Sequence, residues 1–250
     1  MMETVKLIAV GIFLPLYPLS IIFNIVFEKL PHPALRGVIL LVWPMAGIYL
    51  LQGVEEPLPD WVIVWAMSTA ILYAFRLLAV RQMGLWIGFL ATSAWAMQWI
   101  ALNGGVSNDL PYLLALGFSV PLAILALLNK HIEIRFGAAY TDLHGGLALT
   151  TPRLAGVLIF AVLAATATPV FPAFFLLLAT IVNATPGVVV SLLLTWLLWT
   201  WASARLMQGL VVGPVVGEKI QDIGAGLTWL YAGLFLLLVV AGVYLTGGLL

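Results

Sequence analysis

Apolar residues run along this chain in blocks of about twenty, separated by short polar clusters rich in proline and glycine. A block of that length crosses the roughly 30 Å core of a bilayer at about 1.5 Å per helical residue. Val5 to Phe27 reads as a first span, and Pro15 and Pro18 predict a kink in it. Lys6 stands at its start as in a signal sequence, but no small-residue cleavage pattern follows, so the segment reads as a retained anchor. The rigid connection Glu28 to Arg36 leads to a second span, Gly37 to Gly53, with Pro44 at its middle. After the acidic turn Glu55, Glu56, Pro57, Leu58, Pro59, Asp60 comes a third span, Trp61 to about Val80, and Gly84 opens a fourth that reaches Asn103. Gly104, Gly105, Ser107, Asn108 and Asp109 form a turn, and Pro111 sits just inside a fifth helix ending at Asn129.

The longest polar connection, Lys130 to Arg153, begins with an alternation. His131, Glu133 and Arg135 are polar, whereas Ile132, Ile134 and Phe136 are apolar. That period of two predicts a short strand or hairpin on the membrane surface, with an irregular solvated loop as the alternative. Leu154 to about Thr168 is the sixth span. The stretch from Phe171 to Met207 is apolar but interrupted by Asn183, Thr185, Pro186 and Gly187. As one rod it would be roughly 55 Å long, too much for one span, while Phe174 to Val182 is too short for another. One discontinuous seventh helix is therefore expected, against a short re-entrant helix followed by an ordinary span. Such breaks occur at membrane depth only where protein or a wet cavity receives the freed backbone groups, so they mark ion paths. A Gly-rich connection from Gly209 to Gly226 precedes the last span, Leu227 to about Leu245. The expected fold is an all-α integral membrane protein of about eight transmembrane helices. It divides into a four-helix segment, 1–109, and a segment with the break, 110–250, within one membrane domain.

Charge placement agrees with that count. Lys29, Arg36, Arg76, Arg81, Lys130, Arg135, Arg153, Arg205 and Lys219 fall on one side, and Glu55, Glu56, Asp60 and Asp109 on the other; only Lys6 among the basic residues disagrees. The positive-inside rule then predicts a multi-pass protein of the cytoplasmic membrane with both termini outside the cytoplasm. Composition supports the class: 64% of residues are hydrophobic, 8% are charged and the net charge is zero. No basic footprint for nucleic acid is present. With no cysteine, disulfides, iron–sulfur clusters and thiolate zinc sites are excluded.

Little in the chain suggests chemistry. Arg76 is a charge within a span, near enough to its end to extend to the interface, and Arg205 allows the same two readings. Either could meet an acid from a partner. His131, Asp142 and His144 share a connection, but their spacing follows no zinc-ligand motif, and no metal or cofactor is expected. Asn183 could hold water or satisfy freed backbone groups at the break. No nucleophile with an attendant base and no phosphate-binding Gly loop is present, so catalysis by this chain alone is not expected.

The turn His144, Gly145, Gly146, Leu147, then Pro152 opening a helix, then Pro169, Phe171, Pro172, Ala173, Phe174, Phe175, resembles the late-helix region of the Mrp-type antiporter family. That family includes the proton-pumping subunits of respiratory complex I, membrane hydrogenases and cation/proton antiporters. The resemblance covers roughly Leu110 to Met207. It implies a membrane subunit of a multisubunit proton- or cation-translocating complex, working beside a full-length antiporter-like partner. Family members carry a carboxylate or lysine soon after the Phe-Phe entry, whereas Leu176, Leu177, Leu178, Ala179 and Thr180 follow Phe175 here. They also carry two inverted repeats, and this length fits about one. The resemblance therefore implies a scaffold or half-channel without the relay. It leaves open complex I-like, hydrogenase-linked, Mrp-type and inorganic-carbon accumulating assemblies. The alternative from another class is a purely structural anchor that docks a soluble catalytic subunit through Lys130, His131, Glu133 and Arg135.

Overall fold

A computed structural model describes residues 2–52, 58–103, 109–141, 143, 145–212 and 220–249. The described residues form twelve α-helices and one π-helical turn. The first seven are α1 (Met2–Phe13), α2 (Ser20–Lys29), α3 (Pro33–Gln52), α4 (Asp60–Leu77), α5 (Met83–Ala96), α6 (Gln98–Asn103) and α7 (Leu110–Phe136). They are followed by α8 (Leu147–Thr150), α9 (Pro152–Ala165), α10 (Pro172–Val182), α11 (Pro186–Met207), the π turn Gln208–Val212 and α12 (Ala225–Leu249). Six helical stretches are long and apolar enough to cross a membrane. The protein is an all-α, multi-pass membrane protein.

One end of the bundle gathers the basic residues. The Met83 N–H donates to Ala139 O and the Thr141 N–H to Arg81 O, joining the α4–α5 turn to the chain after α7. Arg135 donates to Gln221 O, and the Asp222 carboxylate accepts the Arg153 and Leu154 N–H groups. Gly209 packs so closely on Thr141 that an added Cβ would lie 2.8 Å from its carbonyl oxygen. Lys29, Arg36, Arg76, Arg81, Lys130, Arg135, Arg153 and Arg205 thus share one face. Asp60 and Asp109, at the starts of α4 and α7, lie at the other.

Helix rise then fixes the path of the late helices. α9 starts at the basic face, and its 14 residues climb about 21 Å, short of a crossing. α11 ends at the basic face, so its 22 residues, about 33 Å, place Pro186 at the opposite face. Val182 is joined to Pro186 by three residues and can lie no more than about 14 Å from it. α10 therefore finishes at that opposite face, and α9 and α10 together make one crossing interrupted at Thr166–Phe171. The chain also parts at Asn183–Thr185, where the polar cluster is, but that gap is the turn before a complete helix. The interruption at depth lies one helix earlier than the length argument placed it, because α10 belongs to the crossing before the gap.

Two other expectations are corrected. Val5 to Phe27 is not one kinked span: Pro15 and Pro18 sit in a non-helical stretch separating α1 from α2. Each proline removes a backbone donor, and two so close stop the ladder rather than bend it. Nor do His131 to Phe136 form a strand, since α7 continues through them to Gly137 (φ 79°). Helical spacing joins Asn129 Nδ2 to Glu133 Oε1 at 2.7 Å and Arg135 Nη1 to His131 O at 3.1 Å, while Ile132 is fully buried. The alternation does not follow the faces of this helix: Ile132 enters the bundle, whereas Ile134, two residues on, points away from it and is exposed.

Candidate functional site

α5 is the central helix, with every residue from Met83 to Ala96 buried except Leu85. Its Gly88 admits α2: a Cβ there would come within 3.1 Å of Asn24 Oδ1 and 3.3 Å of the Phe27 ring. Polar groups then line this helix. Asn24 Nδ2 donates to Thr92 Oγ1 (3.1 Å) and to Ser20 O (2.9 Å), and Ser20 Oγ shares a 2.8 Å hydrogen bond with Tyr73 OH. Ser93 Oγ donates to Ala70 O and accepts from Trp199 Nε1 at 2.9 Å; Trp95 Nε1 donates to Ser119 Oγ. With its amide oriented to satisfy both ends, Gln98 donates to Pro111 O and accepts from the Ala115 N–H, each at 3.0 Å. It thus engages both backbone groups of the Pro111–Ala115 rung, near the start of α7. No Asp, Glu, Lys, Arg or His is buried among the described residues. The line orients dipoles with hydroxyls, amides and indoles, and no carboxylate, amine, guanidinium or imidazole joins it among the described residues.

Two helix interruptions flank it, and indoles receive both. In the first, Trp99 Nε1 donates to Leu14 O and Trp65 Nε1 to Tyr17 O, while the Tyr17 N–H donates to Thr69 Oγ1 at the middle of α4. In the second, Trp196 Nε1 donates to both Thr166 O (3.2 Å) and Ala167 O (3.1 Å). Thr168 Oγ1 turns back to Leu163 O at 2.8 Å. Ala167 (φ 52°) and Val170 (φ 93°) have left-handed backbone, which is costly for a β-branched residue. α7 makes room here. Gly117 lets Leu176 and the Ala173 N–H approach, and Pro121, four residues on, lacks the N–H that would bond the Gly117 carbonyl. From the other side Gly242 lies against Val170 O and Pro172 N.

The residues singled out from the sequence fall elsewhere. Asn183, Thr185, Pro186 and Gly187 are exposed, Asn183 Nδ2 bonds its own helix at Ala179 O, and nothing lies within 4 Å of a Cβ built on Gly187. Arg76 stacks on Phe89 (4.5 Å to the ring centroid) and Tyr73 (5.6 Å), with its head exposed at the basic face. Arg205 is exposed at the same face. Gly146 (φ 73°) precedes α8, Leu147 is buried, and Pro152 is at the start of α9. Pro169 lies in the deep interruption, and Phe174 packs on Phe175 and Trp196 just beyond it. Lys130 pairs with Glu133 at 3.4 Å, and His131 meets the Tyr231 ring edge-on. Asp142, His144, Glu55, Glu56 and Lys219 lie outside the described residues. No metal-binding group of three acidic or histidine side chains occurs among the described residues. The hydroxyls of the polar line (Ser20, Thr92, Ser93 and Ser119) and the break in the helix around Pro169 carry no signature of their own in the sequence beyond nearby glycines and prolines. Gly117 with Pro121 on α7, and Pro169 with Pro172, were the available signals.

No family model and no curated relative matches the chain. Solved structures do. A membrane subunit of respiratory complex I from Thermus thermophilus superposes with a TM-score of 0.82 at 21% identity, over 97% of this chain and 54% of that one. The archaeal membrane-bound sulfane sulfur reductase gives 0.80 at 20% identity, over 95% and 51%. The Mrp complex from Dietzia sp. DQ12-45-1b gives 0.83 at 14% identity, over 96% and 56%. The fold is that of the antiporter-like membrane subunits of such complexes, and the chain spans about half the length of the chains it matches.

Proposed function

We propose that this chain is a membrane subunit of a multisubunit proton- or cation-translocating assembly, acting as a scaffold or half-channel beside a full-length antiporter-like partner. One observation carries the reading: the antiporter-like fold extends over nearly the whole chain, while its buried polar line contains amides, hydroxyls and indoles but no ionisable relay among the described residues. The line can conduct water-borne protons part of the way, and the partner supplies the group that binds and releases them. The exposed turn Asn183, Thr185, Pro186 and Gly187 then meets that partner at the face opposite the basic residues. Arg76 and Arg205 fix the bundle's depth at the basic face, which by the positive-inside rule is cytoplasmic, in the cytoplasmic membrane. The chain itself catalyses no reaction.

Purification in mild detergent followed by reconstitution tests this. The chain alone in liposomes is expected to carry no proton flux above empty liposomes, and a larger antiporter-like polypeptide is expected to co-purify. Proton flux through the isolated chain, or its recovery bound only to a soluble enzyme, would overturn the proposal.

A further inference from the structure

The gap between α1 and α2, residues 14–19, is met by protein on three sides. α3 packs Gly47 so closely that an added Cβ would lie 3.0 Å from Leu14 N, α6 sends the Trp99 indole to Leu14 O, and α4 supplies Trp65 and Thr69. Helix rise gives the depth. α2 has 10 residues and ends at the basic face, so the gap lies about 15 Å beneath it. Thr69, which accepts the Tyr17 N–H, stands about 14 Å along α4 from the opposite face. The gap is therefore in the middle of the hydrocarbon. Its fourth side is open among the described residues: Tyr17 is 45% exposed, Pro18 is exposed, and the hydrogen bond from Trp65 to Tyr17 O lies at the surface. Next to Trp65 and Thr69, α4 turns outward Trp61, Val64, Ser68, Leu72 and Phe75, a stripe at helical spacing along most of its length.

We infer that this flank is an interface and seats an apolar transmembrane helix of another subunit. The assignment rests on the chain being one subunit of a membrane assembly, and it adds where a neighbour packs. Non-helical backbone at this depth does not face lipid; protein or a wet cavity encloses it. The stripe on α4 is apolar apart from Ser68, whose hydroxyl bonds its own helix at Val64 O, so the flank suits a dry protein contact rather than water. The other deep gap shows what kind of element fits. There α12, an apolar helix of 25 residues, crosses the break with Gly242 against Val170 O and Pro172 N. A neighbour's helix carrying a small residue at mid-depth passes Tyr17 and Pro18 in the same way. The exposed faces of α11 and α12, by contrast, are unbroken helix, whose backbone is satisfied internally and can face lipid.

The test is photo-crosslinking of the full chain in native membranes, with p-benzoylphenylalanine in place of Tyr17 or Ser68, and in place of Leu197 on the exposed face of α11 as the comparison. At Tyr17 and Ser68 the cross-linked peptide, sequenced by mass spectrometry, is expected to lie within an apolar stretch of about twenty residues of a different polypeptide. Its yield should be at least about tenfold that at Leu197. S68W, which puts a bulky ring on the flank, should lower the recovery of that polypeptide with the chain by about tenfold, while L197W leaves it within about twofold. Lipid adducts alone at Tyr17 and Ser68, adducts to a second copy of this chain, or equal yield at Leu197 would overturn the proposal. A membrane polypeptide that co-purifies but cross-links only through the turn from Asn183 to Gly187 would overturn it while leaving the proposed function standing. Recovery of the chain with no other membrane polypeptide would overturn both.

Discussion

The helical path is interrupted twice between Thr166 and Pro186, and the two gaps are built in opposite ways. Thr166–Phe171 lies partway along a crossing, with Thr166, Ala167 and Phe171 buried in the bundle and Pro169 and Val170 on its flank. Its carbonyls are met by Trp196, its hydroxyls turn back on the preceding helix, and two of its residues have left-handed backbone. Asn183–Thr185 lies outside, exposed, with one amide bond to its own helix. The difference follows from depth. A gap within the hydrocarbon must have its backbone groups satisfied by protein, whereas a gap at the interface can leave them to water or a neighbouring subunit. Polar residues in an apolar run thus mark a helix end. Where that end sits is decided by the rise accumulated since the last face.

Substitutions can break this contrast, and the largest effect is expected where backbone meets backbone. Gly242→Leu should push α12 off Val170 and Pro172, lowering stability in detergent by about 3 kcal/mol, read as a fall in thermal unfolding temperature. Trp196→Phe keeps the ring and removes the donor shared by Thr166 O and Ala167 O. It should cost about 2 kcal/mol, since buried carbonyls lose their partner. Val170→Gly should stabilise by about 1 kcal/mol, because relief of the left-handed strain outweighs the extra freedom of glycine when unfolded. At the outer gap, Asn183→Ala should change stability by less than about 0.5 kcal/mol. A large loss from Asn183→Ala, with none from Trp196→Phe, would reverse the roles of the two gaps.

Much of the architecture was legible because it follows from hydrophobic length. The long apolar blocks gave helices at α3, α4, α5 with α6, α7, α11 and α12, and the described basic side chains other than Lys6 share one face as their sequence positions require. Local patterns failed where tertiary context decided the outcome. The alternation from His131 to Phe136 looked strand-like, but those residues have a helix behind them and Ile132 enters the core. Pro15 and Pro18 promised a kink and produced a full separation, stabilised by Trp65 and Trp99 from helices far along the chain. The hydroxyls of the polar line on α5 were invisible because serine and threonine among small residues look like ordinary helix positions until their partners are known. Thr92 and Ser93 show this best: each bonds a residue at least 23 positions away or on another helix, Asn24 and Trp199 respectively.

The absence of cysteine makes the central claim directly measurable. Single cysteines introduced as Arg153→Cys, Thr168→Cys and Thr185→Cys can be labelled with a membrane-impermeant maleimide in sealed vesicles of either orientation. A crossing formed by α9 and α10 predicts labelling of positions 153 and 185 from opposite sides and protection of position 168. Labelling of 153 and 185 from the same side, or protection of 185 with ready labelling of 168, would contradict it.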